Sequence, residues 1–481
     1  MKWVAFTVVA ALALALAPAA GAGGPGLLVG AAEDIFQQES LVLAKEKVDL
    51  ARLAGLDAIR LTAVWTPGQT GPAPEQLERL QNAAGAAALS GVRAYIVVTH
   101  AGSKTTPLTA DARAQFAQFA ASLARAVPTF RNFIIGNEPN LNRFWLPQFT
   151  PSGGDAAAPA YGLLLARVYD VLKAVSPAIT VIGGSLSPRG GDDPTAPRQT
   201  HSPTRFIRDL GAAYRASHRR RPLMDELAFH PYEDNSSVPP TFAHPGSRNI
   251  SIADYPRLVR LLGQAFDGTP QRGTSLPIVY DEFGVESAIP PQRAPLYFGK
   301  EPSTTKPVDE QRQAAYYRRA IQLAFCQPTV AGIFVFHTHD ETDLDRWQSG
   351  LYYADGYPKA AVAAVRTVAR AVRGGTAAHC PGLELETKAR VRFPTGLPLR
   401  RQLALRLTCR LDCQYDARVE RFPHYATVLF RHGHAISQTP AQVLFPYRRL
   451  TPGRYRFRLW LTVPVNPGLP TMLLSRAFVV R

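Results

Sequence analysis

Two short β-type runs, Asn132–Gly136 and Ile278–Asp281, each lead straight into a glutamate: the first opens onto Asn137-Glu138-Pro139, the second onto Glu282-Phe283-Gly284. Two carboxyls brought face to face can break a glycosidic bond. One donates a proton to the leaving oxygen, and the other attacks the anomeric carbon or activates water there. That chemistry needs unequal pKa values. A further run contributes Arg60, and His100 and the His230-Pro231-Tyr232 triplet stand at or beyond the ends of others. A cationic Arg60 and a Tyr232 hydroxyl beside Glu282 would hold it ionised, while a drier setting for Glu138 would keep it protonated until the leaving group departs. Asp281 precedes Glu282, and strand alternation sends neighbouring side chains to opposite faces, so it reads as a structural partner.

The elements that must carry these residues alternate along the chain. Strand candidates are Leu27–Gly30, Ala58–Thr62, Arg93–Thr99, Asn132–Gly136, Thr180–Gly183, Glu226–His230, Ile278–Asp281 and Gly332–Phe336. Amphipathic stretches lie between them at Ser40–Ala54, Pro74–Ser90, Asp111–Val127, Ala160–Val175, Pro203–Ser217, Tyr255–Phe266 and Glu310–Phe325, and Pro358–Val372 follows the last strand. Eight alternations fit a (β/α)₈ TIM barrel, in which catalytic residues sit at the C-terminal strand ends. A doubly wound dinucleotide-binding sheet would place a glycine fingerprint after its first strand, and none is there. Strands four and seven are three apart in a barrel of eight, so Glu138 and Glu282 can face each other across its mouth. After Gly374-Gly375 the helical period stops, and alternating runs at Leu403–Thr408, Ala426–Phe430 and Tyr455–Val463 read as a small C-terminal all-β, immunoglobulin-like sandwich. The division expected is a catalytic domain over residues 23–375 and an accessory domain over residues 380–481.

These residues together resemble the clan A glycoside hydrolases, the retaining (β/α)₈ enzymes that include glycoside hydrolase families 5 and 39. The resemblance covers residues 27–372 and implies Glu138 as acid/base and Glu282 as nucleophile. It further implies that Asn137 binds the sugar 2-hydroxyl, that Tyr232 and Arg60 orient Glu282, and that His100 and His230 line the subsite of the attacked sugar. The clan usually ends its eighth strand in a Trp that stacks on sugar, whereas this chain reads Phe334-Val335-Phe336-His337-Thr338-His339-Asp340. Trp65, Trp145 and Trp347, all on expected rim loops, could replace that platform, or could be packed loop anchors. His337 joins the expected substrate-binding set. The implied partner is a carbohydrate, with no metal or organic cofactor.

Two other readings compete. His337 and His339 alternate onto one face and, with His100 or His230, could bind zinc in a metal-dependent barrel hydrolase, although such barrels place paired histidines after the first strand and none is there. A non-catalytic carbohydrate-binding barrel would typically lack one of the two glutamates, and both are present.

Composition and processing signals set the surroundings. Of 481 residues, 54 are Lys or Arg against 37 Asp or Glu, a formal charge of +17, and 46% are hydrophobic, which excludes a disordered chain. Nucleic-acid motifs and a basic tail are absent, so the charge reads as an arginine-rich surface, with attraction to an acidic polymer left open. Met1-Lys2, an apolar run from Trp3 to Ala17 and a small-residue stretch to Ala22 read as a secretory signal peptide over residues 1–22. No other stretch is suited to stable membrane insertion, and the mature protein is expected outside the cell. An oxidising compartment would pair the four cysteines, with Cys409–Cys413 and Cys326–Cys380 favoured over the other pairings and over a zinc site.

Overall fold

The computed structural model describes residues 23–380, 389–394, 402–437, 439–446, 449–463 and 466–480. The expected signal segment, residues 1–22, lies outside the described residues. Eight parallel strands close into a barrel in sequence order: β1 (Leu28–Ala32), β2 (Ala58–Trp65), β3 (Arg93–His100), β4 (Asn132–Ile135), β5 (Thr180–Leu186), β6 (Glu226–Phe229), β7 (Ile278–Phe283) and β8 (Val330–Phe336). Closure comes from β8 pairing with β1, from Leu28 opposite Gly332 to Ala32 opposite Phe336.

The helices fall where apolar spacing placed them: α1 (Leu41–Leu53), α2 (Pro74–Ser90), α3 (Ala110–Ala126), α4 (Ala157–Val175), α5 (Pro203–Ala216), α6 (Tyr255–Phe266), α7 (Glu310–Phe325) and α8 (Ala360–Gly374). Their starts are chemically marked. Ser40, Thr109, Ser202 and Asp309 each accept a hydrogen bond from the backbone of the first turn, and Pro begins α2 and α5, where its missing N–H costs nothing. Gly375, at φ 75°, takes the left-handed turn that stops α8.

Two apolar layers result. The larger lies between strands and helices, and a smaller one fills the barrel with Tyr95, Val97, Ile134, Ile182, Val279 and Phe334. Phe334 explains the glycine in β1: a Cβ on Gly30 would come within 2.6 Å of its ring. The barrel is therefore a packed interior, and chemistry is left to its rim.

Beyond the barrel, all described strands are antiparallel. A three-stranded sheet is ordered β13 (Ala441–Pro446), β10 (Gln402–Cys409), β9 (Ala389–Arg392). A five-stranded sheet is ordered β12 (Ala426–Ala435), β11 (Cys413–Arg421), β14 (Gly453–Val463), β15 (Asn466–Leu474), with β16 (Phe478–Val480) also on β14. Period-two burial faces the sheets together, as in Leu403, Leu405 and Leu407 against Phe457, Leu459 and Leu461. Both expected disulfides form: Cys326–Cys380 with Cα atoms 5.2 Å apart, and Cys409–Cys413 with Cα atoms 6.3 Å apart. Among the described residues, no helix is long and apolar enough to cross a membrane.

Candidate active site

At the C-terminal end of β4 the backbone makes an unusual exit. Gly136 sits at φ 84° and Glu138 at φ 39°, with the Gly136 N–H donating to Val98 and the Glu138 N–H donating to Ser185. Only glycine enters the first of these conformations without a Cβ penalty. The turn aims the Glu138 carboxylate inward, where His230, just beyond β6, meets its Oε1 through Nδ1 at 3.1 Å. The same Nδ1 lies 3.5 Å from Oε2 of Glu282, near the end of β7. One imidazole nitrogen thus stands within reach of both carboxylates.

Glu282 is gripped from two further sides. Arg60 on β2 places Nη1 3.1 Å from its Oε1, and the Tyr232 hydroxyl donates to its Oε2 at 3.0 Å. Arg60 also reaches Asn137 Oδ1 at 3.5 Å. Behind them is a fully buried carboxylate, Asp281, which meets Arg60 Nε at 3.3 Å and His230 Nε2 at 3.4 Å and accepts from Ser185 Oγ at 2.6 Å. Ser185 Oγ lies 2.9 Å from His230 Nε2 as well. Asp281 is therefore the structural partner that alternation implies, and it anchors the cation and the imidazole that touch Glu282.

The electrostatics follow from that packing. Burial alone would strip His230 of its proton, but the negative charges of Glu282 and Asp281 outweigh it and lift the imidazole to about 10, so it is a cation between carboxylates. Burial opposes charge on Asp281 too, and there the His230 and Arg60 cations prevail and hold it below the usual carboxylate range. Glu282 goes the other way: burial raises it, and the cations on His230 and Arg60 only partly offset that. The sequence implied a drier Glu138 and an ionised Glu282. The structure corrects the first of these: the two side chains are 16% and 13% exposed, so Glu138 is not the drier of the pair.

The carboxylates lie in a continuous cleft with two arms. One, of about 480 Å³, is lined by Glu33, Asp34, Arg60, His100, Asn137, Glu282 and His337 among others. The other, of about 570 Å³, is lined by Glu138, Arg143, Arg189, Tyr232, Glu282, His337, Arg346 and Trp347 among others. His100 and His337 are both lowered below their ordinary range by burial, His337 to about 3, so they face the cleft as neutral rings.

Two expected tryptophans are elsewhere. Trp65 is the last residue of β2, fully buried, and edges onto Phe116; Trp145, also buried, edges onto His100 and Tyr161. They are loop and strand anchors because an indole next to an Ala- and Phe-rich helix face gains more from packing than a rim position offers. Trp347 does reach the cleft, tilted against Tyr232 with centroids 5.3 Å apart and edge-on to Phe336 at 5.2 Å. His337 and His339 also part company: His339 stacks on Tyr352 at 5.3 Å and pairs with Thr338, away from the cleft that His337 lines. Among the described residues, no group of three His, Cys, Asp or Glu side chains is arranged to hold a metal ion.

Sequence reasoning missed Ser185, Arg143, Arg189 and Arg346. Ser185 carried a readable signal, since it follows Gly183-Gly184 at the end of a strand candidate. The arginines belong to loops whose course nothing in the sequence fixes.

No family model matches this chain, and no curated protein matches it. Several solved structures are similar to it. One is Bacteroides uniformis β-glucuronidase 2, covalently bound to cyclophellitol-6-carboxylate aziridine, at 11% identity and a TM-score of 0.43 over 94% of this chain and 46% of that one. The chain spans less than half the length of that enzyme. Another is the GH5_18 protein from Streptomyces cattleya in complex with GlcNAc, at 16% identity and a TM-score of 0.49 over 73% of this chain and 81% of that one. A third is the GH39 β-xylosidase from Caulobacter crescentus, at 15% identity and a TM-score of 0.46 over 84% of each chain.

Proposed function

We propose that this protein is a secreted retaining glycoside hydrolase that cleaves β-glycosidic O-linkages of an oligo- or polysaccharide by double displacement. The observation that carries this reading is the convergence of Glu138 and Glu282 on one nitrogen of His230, at 3.1 and 3.5 Å. Two carboxylates that meet at one hydrogen-bonding atom are close neighbours, which supports the short spacing of about 5–5.5 Å at which one attacks carbon directly over the wider ~6.5–9.5 Å that admits a water between them.

In the first step a Glu282 oxygen attacks the anomeric carbon and forms a glycosyl ester, while Glu138 gives its proton to the departing oxygen. In the second, Glu138 takes a proton from water, which attacks the same carbon and releases Glu282. Arg60 and Tyr232 fix both oxygens of Glu282, so its lone pairs are aimed before substrate arrives. Asn137, within reach of Arg60, takes the sugar 2-hydroxyl, His230 supports both carboxylates, and His100 and His337 line the attacked ring as neutral donors or acceptors. Trp347 supplies the stacking face on the rim. The catalytic unit is residues 23–375, with residues 380–481 an accessory sandwich; the leader over residues 1–22 and the two disulfides support export.

The two glutamates fail differently when truncated, which tests the assignment. Glu282→Ala is expected to abolish turnover of aryl β-glycosides, with azide restoring a product of inverted configuration. Glu138→Ala is expected to retain the first step on good leaving groups and to give a retained glycosyl azide. Wild-type hydrolysis by both variants would overturn the mechanism.

A further inference from the structure

The cleft is chemically lopsided about its two carboxylates. Glu282 lines both arms, but Glu138 lines only the larger one. An acid must stand beside the oxygen it protonates, so the larger arm is where the leaving group lies.

That arm carries three guanidiniums, from Arg143, Arg189 and Arg346. Arg189 is tethered: its Nη1 donates to the carbonyls of Glu233 and Asp234 at 3.0 and 2.8 Å, and it keeps only a 3.8 Å contact with the Asp234 carboxylate. Arg143 lies over the Phe144 ring at 5.4 Å, and among the described residues neither it nor Arg346 enters an ion pair. Besides the two reacting carboxylates, the one acid lining the arm is Glu341, whose Oε2 accepts the backbone N–H of Trp347 at 3.0 Å. Among the described residues the smaller arm offers no free cation of its own: its positive charges are Arg60, which is committed to Asp281 and Glu282, and Arg143 at the junction, and burial raises the carboxyls of Glu33 and Asp34 at its wall, Glu33 to about 8.

A neutral sugar is held by an aromatic face and uncharged donors. Guanidinium forks such as those of Arg143 and Arg346, which have no carboxylate partner among the described residues, match the planar or trigonal oxygens of a carboxylate or sulfate. We propose that the sugar on the leaving-group side of the scissile bond is anionic, a uronate or a sulfated residue, seated against Trp347 and held by Arg143, Arg189 and Arg346. The attacked sugar, beside Glu33 and Asp34, is then uncharged. This inference rests on the roles proposed above for Glu138 and Glu282.

Two measurements on the full chain test it. The first compares kcat/KM for 4-nitrophenyl and 3-carboxy-4-nitrophenyl glycosides of the same sugar, which differ in charge while leaving with similar ease. The carboxylated substrate is expected to be favoured, and Arg143→Ala/Arg346→Ala is expected to lower the ratio roughly tenfold, the loss of a hydrogen bond to a charged group. The second measures retardation of Glu282→Gln in gels containing polygalacturonate, dextran sulfate or plain dextran, which separates carboxylate from sulfate recognition. Retardation by one polyanion is expected to weaken with Arg143→Ala/Arg346→Ala but not with Arg318→Ala/Arg319→Ala, a pair exposed on α7 far along the chain. Equal weakening by both pairs would mean a merely basic surface and would overturn the inference, as would an unchanged substrate ratio. If the wild type hydrolyses no glycoside, or Glu282→Gln hydrolyses as well as it does, the two-carboxylate reading falls instead, and with it the assignment of this arm.

Discussion

His230 has no polar surface of its own, yet four groups depend on it. Its Nδ1 serves Glu138 and Glu282, and its Nε2 serves Asp281 and Ser185. Because the carboxylates lift it to about 10 from an ordinary value near 6.5, the folded protein binds a proton that the unfolded chain releases in that interval. The sign follows: the stabilisation is complete below about pH 6.5 and is lost as pH rises toward 10. Wild-type melting temperature is therefore expected to fall between pH 7 and 9.5 more steeply than that of His230→Asn, compared in the same buffers. Parallel curves would show that the imidazole is not charged in the fold. Of this network, Arg60 and Tyr232 beside Glu282 and Asp281 as their structural partner were legible, but Ser185 and the double contact of His230 were not. Sequence placed His230, Tyr232 and both glutamates at strand ends and Arg60 on the second strand, because the barrel's geometry makes such positions informative, but which carboxylate suffers burial depends on the walls around it.

Most of the helices were readable for a shared reason. Six of the eight are marked at their starts by a Ser, Thr or Asp cap or by Pro in the first turn, and α8 is marked at its end by glycine, so local chemistry and apolar period agree there. Loops have no such double signal, and the loop between β8 and α8 illustrates the consequence. Its shape is set by a fully buried pair, Lys359 and Asp340, with Nζ 2.7 Å from Oδ1, 2.8 Å from Ser287 Oγ and 3.1 Å from the Gln348 carbonyl. Asp340 also accepts from Gly350 N–H at 2.9 Å and from Tyr297 at 2.8 Å. No period or spacing announces a lysine that points inward. Trp347 stands on this loop, so the pair helps position an indole that lines the cleft. Lys359→Met would leave the Asp340 charge buried and unpaired, and the expected cost is about 3–5 kcal/mol in urea unfolding. The double change Lys359→Met/Asp340→Leu is expected to recover much of that loss. Recovery of none of it would place the cost in packing and not in charge.

At the scale of the whole molecule, the question is what holds the last βα unit in the ring. A closed barrel has no redundant strand: β8 is hydrogen-bonded to both β7 and β1, so its release opens the sheet. Cys326 caps the C-terminus of α7 and Cys380 follows α8, so their bridge encloses β8, the Trp347 loop and α8 in one covalent ring of sequence separation 54. Cys409–Cys413 closes a separation of only 4, between β10 and β11. Restricting the unfolded chain stabilises in proportion to the logarithm of the enclosed length, which gives about 4 kcal/mol for the larger ring and less for the smaller. The barrel should feel only the first. Trp65, Trp145 and Trp347 lie in the barrel and Trp460 in the sandwich, so tryptophan emission reports mostly on the barrel. Cys326→Ser/Cys380→Ser is expected to lower the urea midpoint read by that emission, with a loss of roughly 2–4 kcal/mol, whereas Cys409→Ser/Cys413→Ser should leave it near wild type. Equal losses from both double variants would mean that barrel and sandwich unfold as one cooperative body. A loss from neither would mean that strand pairing and the α7–α8 packing alone keep the ring closed.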